Sequence, residues 1–328
     1  AALQVWGLAA TLPRLNGMFA LALWDRERCV LSLARDRMGE KPLFYGTSGK
    51  SFLFASELKA LTVYPDWQGD IDRDVLALYL RHAYIPDPYC IYHGMNKLPP
   101  AHWVEVRGNS IGKPVCYWDM SKVTQTQRRT DPPKILIDEL ETHLMTAVGM
   151  RMEADVPLGA FLSGGIDSTV IVALMQAQTG RPVKTFTIGF AQTGYNEAED
   201  AKAVAHHLGT DHTELYLSPQ DALDVIPALP KIWDEPFADS SQIPTYIISK
   251  FAKQKVSVAL SGDAGDEIFG GYNRYVFAQK MFGKIRKTPI AIRHLMSKTI
   301  FSLTEEKLDK LLNVFVSRSY TNIGHKLH

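Results

Sequence analysis

One segment constrains this chain more than any other: the apolar run Val156 to Leu162, followed by Ser163-Gly164-Gly165-Ile166-Asp167-Ser168-Thr169. It reads as a strand, a Ser-Gly-Gly turn and a helix that opens on Asp167, a unit of an open parallel sheet, in which ligands sit beyond the carboxyl ends of the strands. The two glycines let backbone N–H groups approach an anion closely, and the helix N-terminus adds the positive end of its dipole. Ser163 and Ser168 add hydroxyl donors, so the turn is suited to hold a pyrophosphate. It lacks the lysine of a Walker A loop and the three-glycine spacing of a dinucleotide-binding turn. Taken alone, it is also what a ligand-free corner looks like, with Asp167 or Ser168 as a helix cap.

A second element favours the ligand site. The strand Val256 to Leu260 runs into Ser261-Gly262-Asp263-Ala264-Gly265-Asp266-Glu267, which sets three carboxylates among glycines. One turn offers donors to phosphate oxygens and the other offers hard oxygen ligands, the composition of a site for a magnesium-bound nucleotide.

These two turns, together with Arg35-Asp36-Arg37-Met38-Gly39-Glu40-Lys41-Pro42-Leu43-Phe44-Tyr45, resemble the glutamine-hydrolysing asparagine synthetases in order and spacing along most of the chain. The Ser-Gly-Gly-x-Asp-Ser turn is shared by other enzymes that split ATP into AMP and pyrophosphate. The Arg35 to Tyr45 segment and the Ser261 to Glu267 turn narrow the choice.

Composition sets the class. The chain has 328 residues, 46% hydrophobic and 22% charged, which is ordinary globular protein with room for two cores. A formal net charge of +1 gives no electrostatic footprint for nucleic acid, and no apolar run reaches the length of a membrane span. Cys29, Cys90 and Cys116 are far apart and form no Cys-x-x-Cys pair, so neither zinc nor a disulfide framework is indicated and a reducing cytoplasm fits best.

From Asn16 to Leu61 short strands alternate with turns, which predicts a sheet layer of its own. Asp72 is placed to cap a helix through about Arg81, and Leu98 to Val106 turns back into strand. The first domain is expected to end near Trp118. Asp119 to Lys134 is polar and basic with a Pro-Pro pair and reads as a linker. Leu136, Leu140, Leu144 and Val148 then put one apolar stripe of a helix toward a core. Beyond the turn at Ser163 the chain alternates helix and strand, with Val183 to Phe190 as the next strand and Asn196 capping a helix that Gly209 ends. His206, His207 and His212 have no metal-ligand spacing and read as a solvated helix end. The expected fold is therefore α/β. Residues 1–118 form a partial sheet layer, which the resemblance makes the C-terminal part of a class II (Ntn-type) glutamine amidotransferase domain; 119–134 is a linker, and 135–328 is a doubly wound parallel-sheet ATP pyrophosphatase domain, truncated.

The resemblance implies a two-step ligase reaction using ATP and Mg2+. An aspartate side-chain carboxylate attacks the α-phosphorus, giving an aspartyl adenylate and pyrophosphate, and ammonia from glutamine then displaces AMP. It implies that Leu162, Ser163, Gly164, Gly165, Asp167, Ser168, Ile188, Gly189, Ser261 and Gly262 line the ATP site, with Ser163 and Ser168 acting on the leaving pyrophosphate. Asp167 and Asp266 are the expected magnesium ligands. Asp263 is the candidate for taking the proton as ammonia attacks. Asp239, Ser240, Ser241 and Glu267 are the candidates for contacts to the amino-acid substrate, although capping of the next helix explains the first three as well. The partners implied are small molecules (aspartate, glutamine or ammonia, ATP), without nucleic acid or membrane, and with a homodimer as the assembly to test. Related enzymes that adenylate a sugar acid or close a peptide or β-lactam ring, and a non-catalytic scaffold of the same fold, are the alternatives.

The family's N-terminal cysteine nucleophile and its C-terminal catalytic lysine loop have no match here. The expectation is a segment of a longer enzyme, cut at both ends, that by itself cannot use glutamine and exposes a sheet edge.

Overall fold

The computed structural model describes residues 1–126, 128–190 and 197–301. Its first part holds α1 (Ala2–Thr11), β1 (Ala20–Asp25), β2 (Val30–Arg35), β3 (Phe44–Ser48), β4 (Ser51–Ala55), α2 (Leu58–Leu61), α3 (Arg73–His82), β5 (Met95–Lys97), β6 (His102–Arg107), β7 (Ser110–Ile111) and β8 (Val115–Cys116). These strands form two antiparallel sheets, β1-β2-β6-β7 with β8 also on β6, and β4-β3-β5. Alternation along the strands builds the layers. Tyr45 turns from β3 toward Leu33 and Val104 of the first sheet, while its neighbour Phe44 turns to Leu58, Leu61 and Val75 of α2 and α3. Asp72 caps α3, its carboxylate accepting from the N–H groups of Asp74 and Val75 at 3.0 and 3.2 Å.

The segment Arg35 to Pro42 is a knot of charged hydrogen bonds. The Asp36 carboxylate, 1% exposed, accepts the backbone N–H groups of Phe19, Met38, Glu40 and Lys41 at 2.9 to 3.3 Å. The Arg35 guanidinium donates to the carbonyls of Gly39, Lys41 and Leu98 and pairs with Asp87 at 3.1 Å. The residues that distinguish the sequence here are architectural.

The second part holds α4 (Met120–Thr124), α5 (Pro133–Met152), β9 (Leu158–Phe161), α6 (Ile166–Ala177), β10 (Lys184–Phe190), α7 (Ala198–Leu208), β11 (Asp211–Leu217), α8 (Pro219–Val225), α9 (Leu229–Ile232), α10 (Gln242–Ala252), β12 (Val258–Leu260), α11 (Gly265–Phe269), α12 (Asn273–Lys287) and α13 (Ile290–Phe301). Its four strands are parallel, in the order β11-β10-β9-β12. Helices cover both faces. Ala160 of β9 packs with Val148, Val172, Met175, Ala201 and Ala205 from α5, α6 and α7. On the other face Phe186 meets Phe251 of α10 edge-on, at 6.0 Å between ring centroids. The fold is α/β as expected, with the N-terminal part built of two antiparallel sheets rather than one layer, followed by a doubly wound parallel sheet.

Three expectations need correction or fall outside what is described. The α5 stripe buries fully only near its end: Val148 is 4% exposed and packs with Val172 and Met175 of α6, but Leu140 is 40% exposed. His212 is on β11 rather than at the helix end. Its Nδ1 lies 2.9 Å from Thr185 Oγ1, and burial pushes its pKa down from the usual value. His206 and His207 are exposed at the end of α7, which Gly209 terminates at φ 70°. Asn196 lies outside the described residues. Among the described residues no helix is long and apolar enough to cross a membrane, and no cluster of three His, Cys, Asp or Glu could hold a metal.

Candidate active site

The first turn of α6 leaves its N–H groups without helical partners, and the preceding turn is shaped to present them. Gly164 adopts φ 79°, and a Cβ there would fall 2.8 Å from the Ala201 nitrogen, so only glycine lets the turn lie against α7. The Ser168 hydroxyl is the internal brace. It is 2.9 Å from Ser163 Oγ, accepts from the Ser163 N–H at 3.1 Å and donates to the Gly165 carbonyl at 3.2 Å. Ser168 is 7% exposed, whereas Ser163, Gly165 and Ile166 face solvent. Ser168 therefore fixes the turn, and Ser163 is the more accessible hydroxyl. Leu162 anchors the strand end: it is 1% exposed, its N–H donates to Phe186 O at 3.0 Å, and its carbonyl accepts from the Thr187 hydroxyl.

The acidic turn after β12 sits directly on this helix start. A Cβ at Gly262 would fall 2.5 Å from the Ser168 nitrogen, and one at Gly265 would fall 2.6 Å from Asp167 Oδ2. Two glycines thus bring the acidic backbone against the start of α6, with the Asp167 carboxylate beside Gly265. Asp266 enters α11 beside Gly271, whose N–H donates to the Asp266 carbonyl at 3.0 Å. Asp263 is exposed, and its Oδ2 accepts from the Ser261 hydroxyl at 2.9 Å. Glu267 is held by the Tyr272 hydroxyl at 2.7 Å, and that bond to a carboxylate pushes the phenol up to about 12.

Ile188 and Gly189 end β10, the strand next to β9. Gly189 is covered: a Cβ there would lie 2.8 Å from the Tyr216 ring and 2.9 Å from Ala198 Cβ. Asp239, Ser240 and Ser241 are exposed in the loop before α10, where the Ser241 N–H donates to Asp239 Oδ1 at 2.8 Å. That bond holds the Asp239 carboxyl below its usual range. Among the described residues, none of the three hydrogen-bonds either turn.

Sequence reasoning missed Asp234 and Glu235. They reach the N-terminal sheets. Asp234 Oδ2 accepts from Leu58 N at 2.6 Å, and Glu235 pairs with Lys97 at 2.6 Å. No local spacing signals this, since the partners are 176 and 144 residues away for the two backbone N–H bonds. Cys90 lies close by, 2% exposed, its thiol pushed up to about 12 chiefly by burial.

Comparison with known proteins shows the family. An asparagine synthase family model matches residues 139–325, and a glutamine amidotransferase domain model matches 1–118. A Methanocaldococcus jannaschii protein provisionally named asparagine synthetase (glutamine-hydrolyzing) 2 is 37% identical over 293 residues, covering 86% of this chain and 55% of that protein. Asparagine synthetase (glutamine-hydrolyzing) 1 of Bacillus subtilis is 36% identical over 263 residues, 80% of this chain and 40% of that enzyme. Amidase chry2 of Gibberella zeae is 25% identical over 282 residues, 80% of this chain and 41% of that protein. The chain spans about half or less of the length of these relatives. With a family model matched over more than half of its residues, the chain belongs to the asparagine synthase family.

Proposed function

We propose that the protein adenylates the side-chain carboxylate of aspartate with ATP and transfers ammonia, derived from glutamine in the full-length enzyme, to the adenylate to give asparagine. One observation carries the reading: Gly262 and Gly265 seat a carboxylate-bearing turn directly on the N-terminal turn of α6. A scaffold has no physical need for phosphate donors packed against carboxylates. In this reading residues 1–118 are the C-terminal part of the glutaminase domain, 119–134 the linker and 135–328 the synthetase domain.

In the first step a carboxylate oxygen of aspartate bonds to the α-phosphorus and pyrophosphate leaves. The amides of Gly164 and Gly165, the Ser163 hydroxyl and the start of α6 receive the charge that builds on it, which lowers the barrier rather than tightening ground-state binding. Ser168 keeps the turn in shape. Leu162, Ile188, Gly189, Ser261 and Gly262 line the nucleotide. Asp167 and Asp266 suit Mg2+, which takes one or two carboxylates together with phosphate oxygens and water. When bound, the ion would neutralise pyrophosphate and make it a better leaving group. In the second step ammonia attacks the acyl carbon, AMP leaves, and the Asp263 carboxylate, oriented by the Ser261 hydroxyl, takes the surplus proton and passes it to solvent. Asp239, Ser240, Ser241 and Glu267 contact the acceptor.

The full-length enzyme supplied with ATP, aspartate and ammonia is expected to release AMP and pyrophosphate in equal amounts, dependent on aspartate. ADP and phosphate as products would contradict the reading. AMP released with a sugar acid or a peptide carboxylate, but not with aspartate, would keep the adenylation and replace the acceptor.

A further inference from the structure

The segment 233–238 joins the two halves of the molecule before it reaches the acceptor loop. Asp234 Oδ2 accepts from Leu58 N at 2.6 Å at the start of α2, and its other oxygen lies 3.2 Å from Lys59 Nζ. Glu235 divides its two oxygens, one accepting from Ile91 N at 2.8 Å and the other meeting Lys97 Nζ at 2.6 Å. Lys97 also donates to the Ile85 carbonyl at 2.5 Å. Ala238 N–H donates to the Ala83 carbonyl at 2.8 Å, and the next residue is Asp239. The Lys97 and Glu235 side chains are only 13% and 11% exposed. A cavity of about 350 Å³ lies along the seam, bordered by Phe44, Tyr84, Lys97, Trp233 and Phe237, so the segment is pinned at defined points rather than packed in continuously.

Placing two charges in so dry a position costs desolvation that apolar contacts would avoid. What the pair adds is geometry, because each carboxylate oxygen of Glu235 has its own donor and the segment then has one register against the N-terminal sheets. We propose that Lys97, from the N-terminal half, is a positioning residue for the acceptor pocket of the C-terminal half. Through Glu235 it fixes residues 234–238, and so sets where Asp239, Ser240 and Ser241 stand. The proposal rests on the assignment of those three residues to the acceptor.

The test uses the full-length enzyme with ammonia as nitrogen donor, so that glutamine hydrolysis does not enter. Lys97→Met and Lys97→Arg are compared by steady-state kinetics and by amide hydrogen exchange. Lys97→Met is expected to raise KM for aspartate roughly tenfold while KM for ATP stays within about twofold, since a displaced binding group weakens only the substrate it holds. Exchange should quicken across 238–242 and stay unchanged across 163–169. Lys97→Arg, which keeps a cation for Glu235, should restore both. An unchanged aspartate KM in Lys97→Met, unchanged exchange across 238–242, or exchange quickened equally in both segments would each overturn the proposal. If the unsubstituted enzyme makes no AMP with aspartate, the acceptor assignment fails on its own, and the exchange comparison alone decides whether Lys97 fixes the segment.

Discussion

At Gly265 a hydrogen in place of a methyl group lets the acidic turn touch the phosphate turn. The residue opens α11, where alanine is favoured over glycine by about 0.5–1 kcal/mol, so a Gly265→Ala change would be stabilising if nothing opposed it. Here the new Cβ would fall 2.4 Å from Asp167 Cγ, and overpacking of that kind costs roughly 1–3 kcal/mol. The variant is therefore expected to melt lower than the parent in calorimetry and to lose pyrophosphate release. A higher melting temperature would mean that the two turns do not touch. Asp167→Asn and Asp266→Asn keep the side-chain shape and remove the charge, so each should lower pyrophosphate release roughly 10²–10³-fold, as for loss of one charge-stabilising group, with an unchanged circular dichroism spectrum. Near-normal turnover with an unaltered magnesium dependence would remove that residue from the metal site.

At the scale of elements, the Ser163 to Thr169 turn was legible as a strand end, a turn and a helix start because seven consecutive residues carry it and its glycines leave little choice of geometry. The Arg35 to Tyr45 segment was legible only as a pattern. Its meaning needed the fold: Asp36 gathers four backbone N–H groups and organises a loop. Asp36→Ala would leave those donors buried without a partner and is expected to cost about 3 kcal/mol or more, read as a lower urea midpoint; a shift equivalent to under about 0.5 kcal/mol, the size of an ordinary surface substitution, would contradict that role. The α5 stripe shows the converse limit. Periodicity tells which face of a helix is apolar, but not how much of its length a neighbour covers, and Leu140 remains 40% exposed. His212 reads with its histidine neighbours in the sequence, yet the break at Gly209 sends it into a strand and against Thr185.

Across the whole molecule, what the sequence could not disclose is the join. Asp234 and Glu235 find their partners in α2, at Ile91 and at Lys97, so their role depends on how the N-terminal half meets the segment before α10. The proposed phosphate chemistry falls on the parallel sheet, and the proposed alignment of the acceptor draws on the N-terminal half. That chemistry requires a carboxylate oxygen of the acceptor to attack the α-phosphorus of ATP. The direct measurement is oxygen transfer: the full-length enzyme is given ATP, ammonia and aspartate labelled with 18O in its side-chain carboxylate, and the AMP is analysed by mass spectrometry. One labelled oxygen in each AMP is the predicted result, and unlabelled AMP, or label found in inorganic phosphate beside ADP, would contradict it.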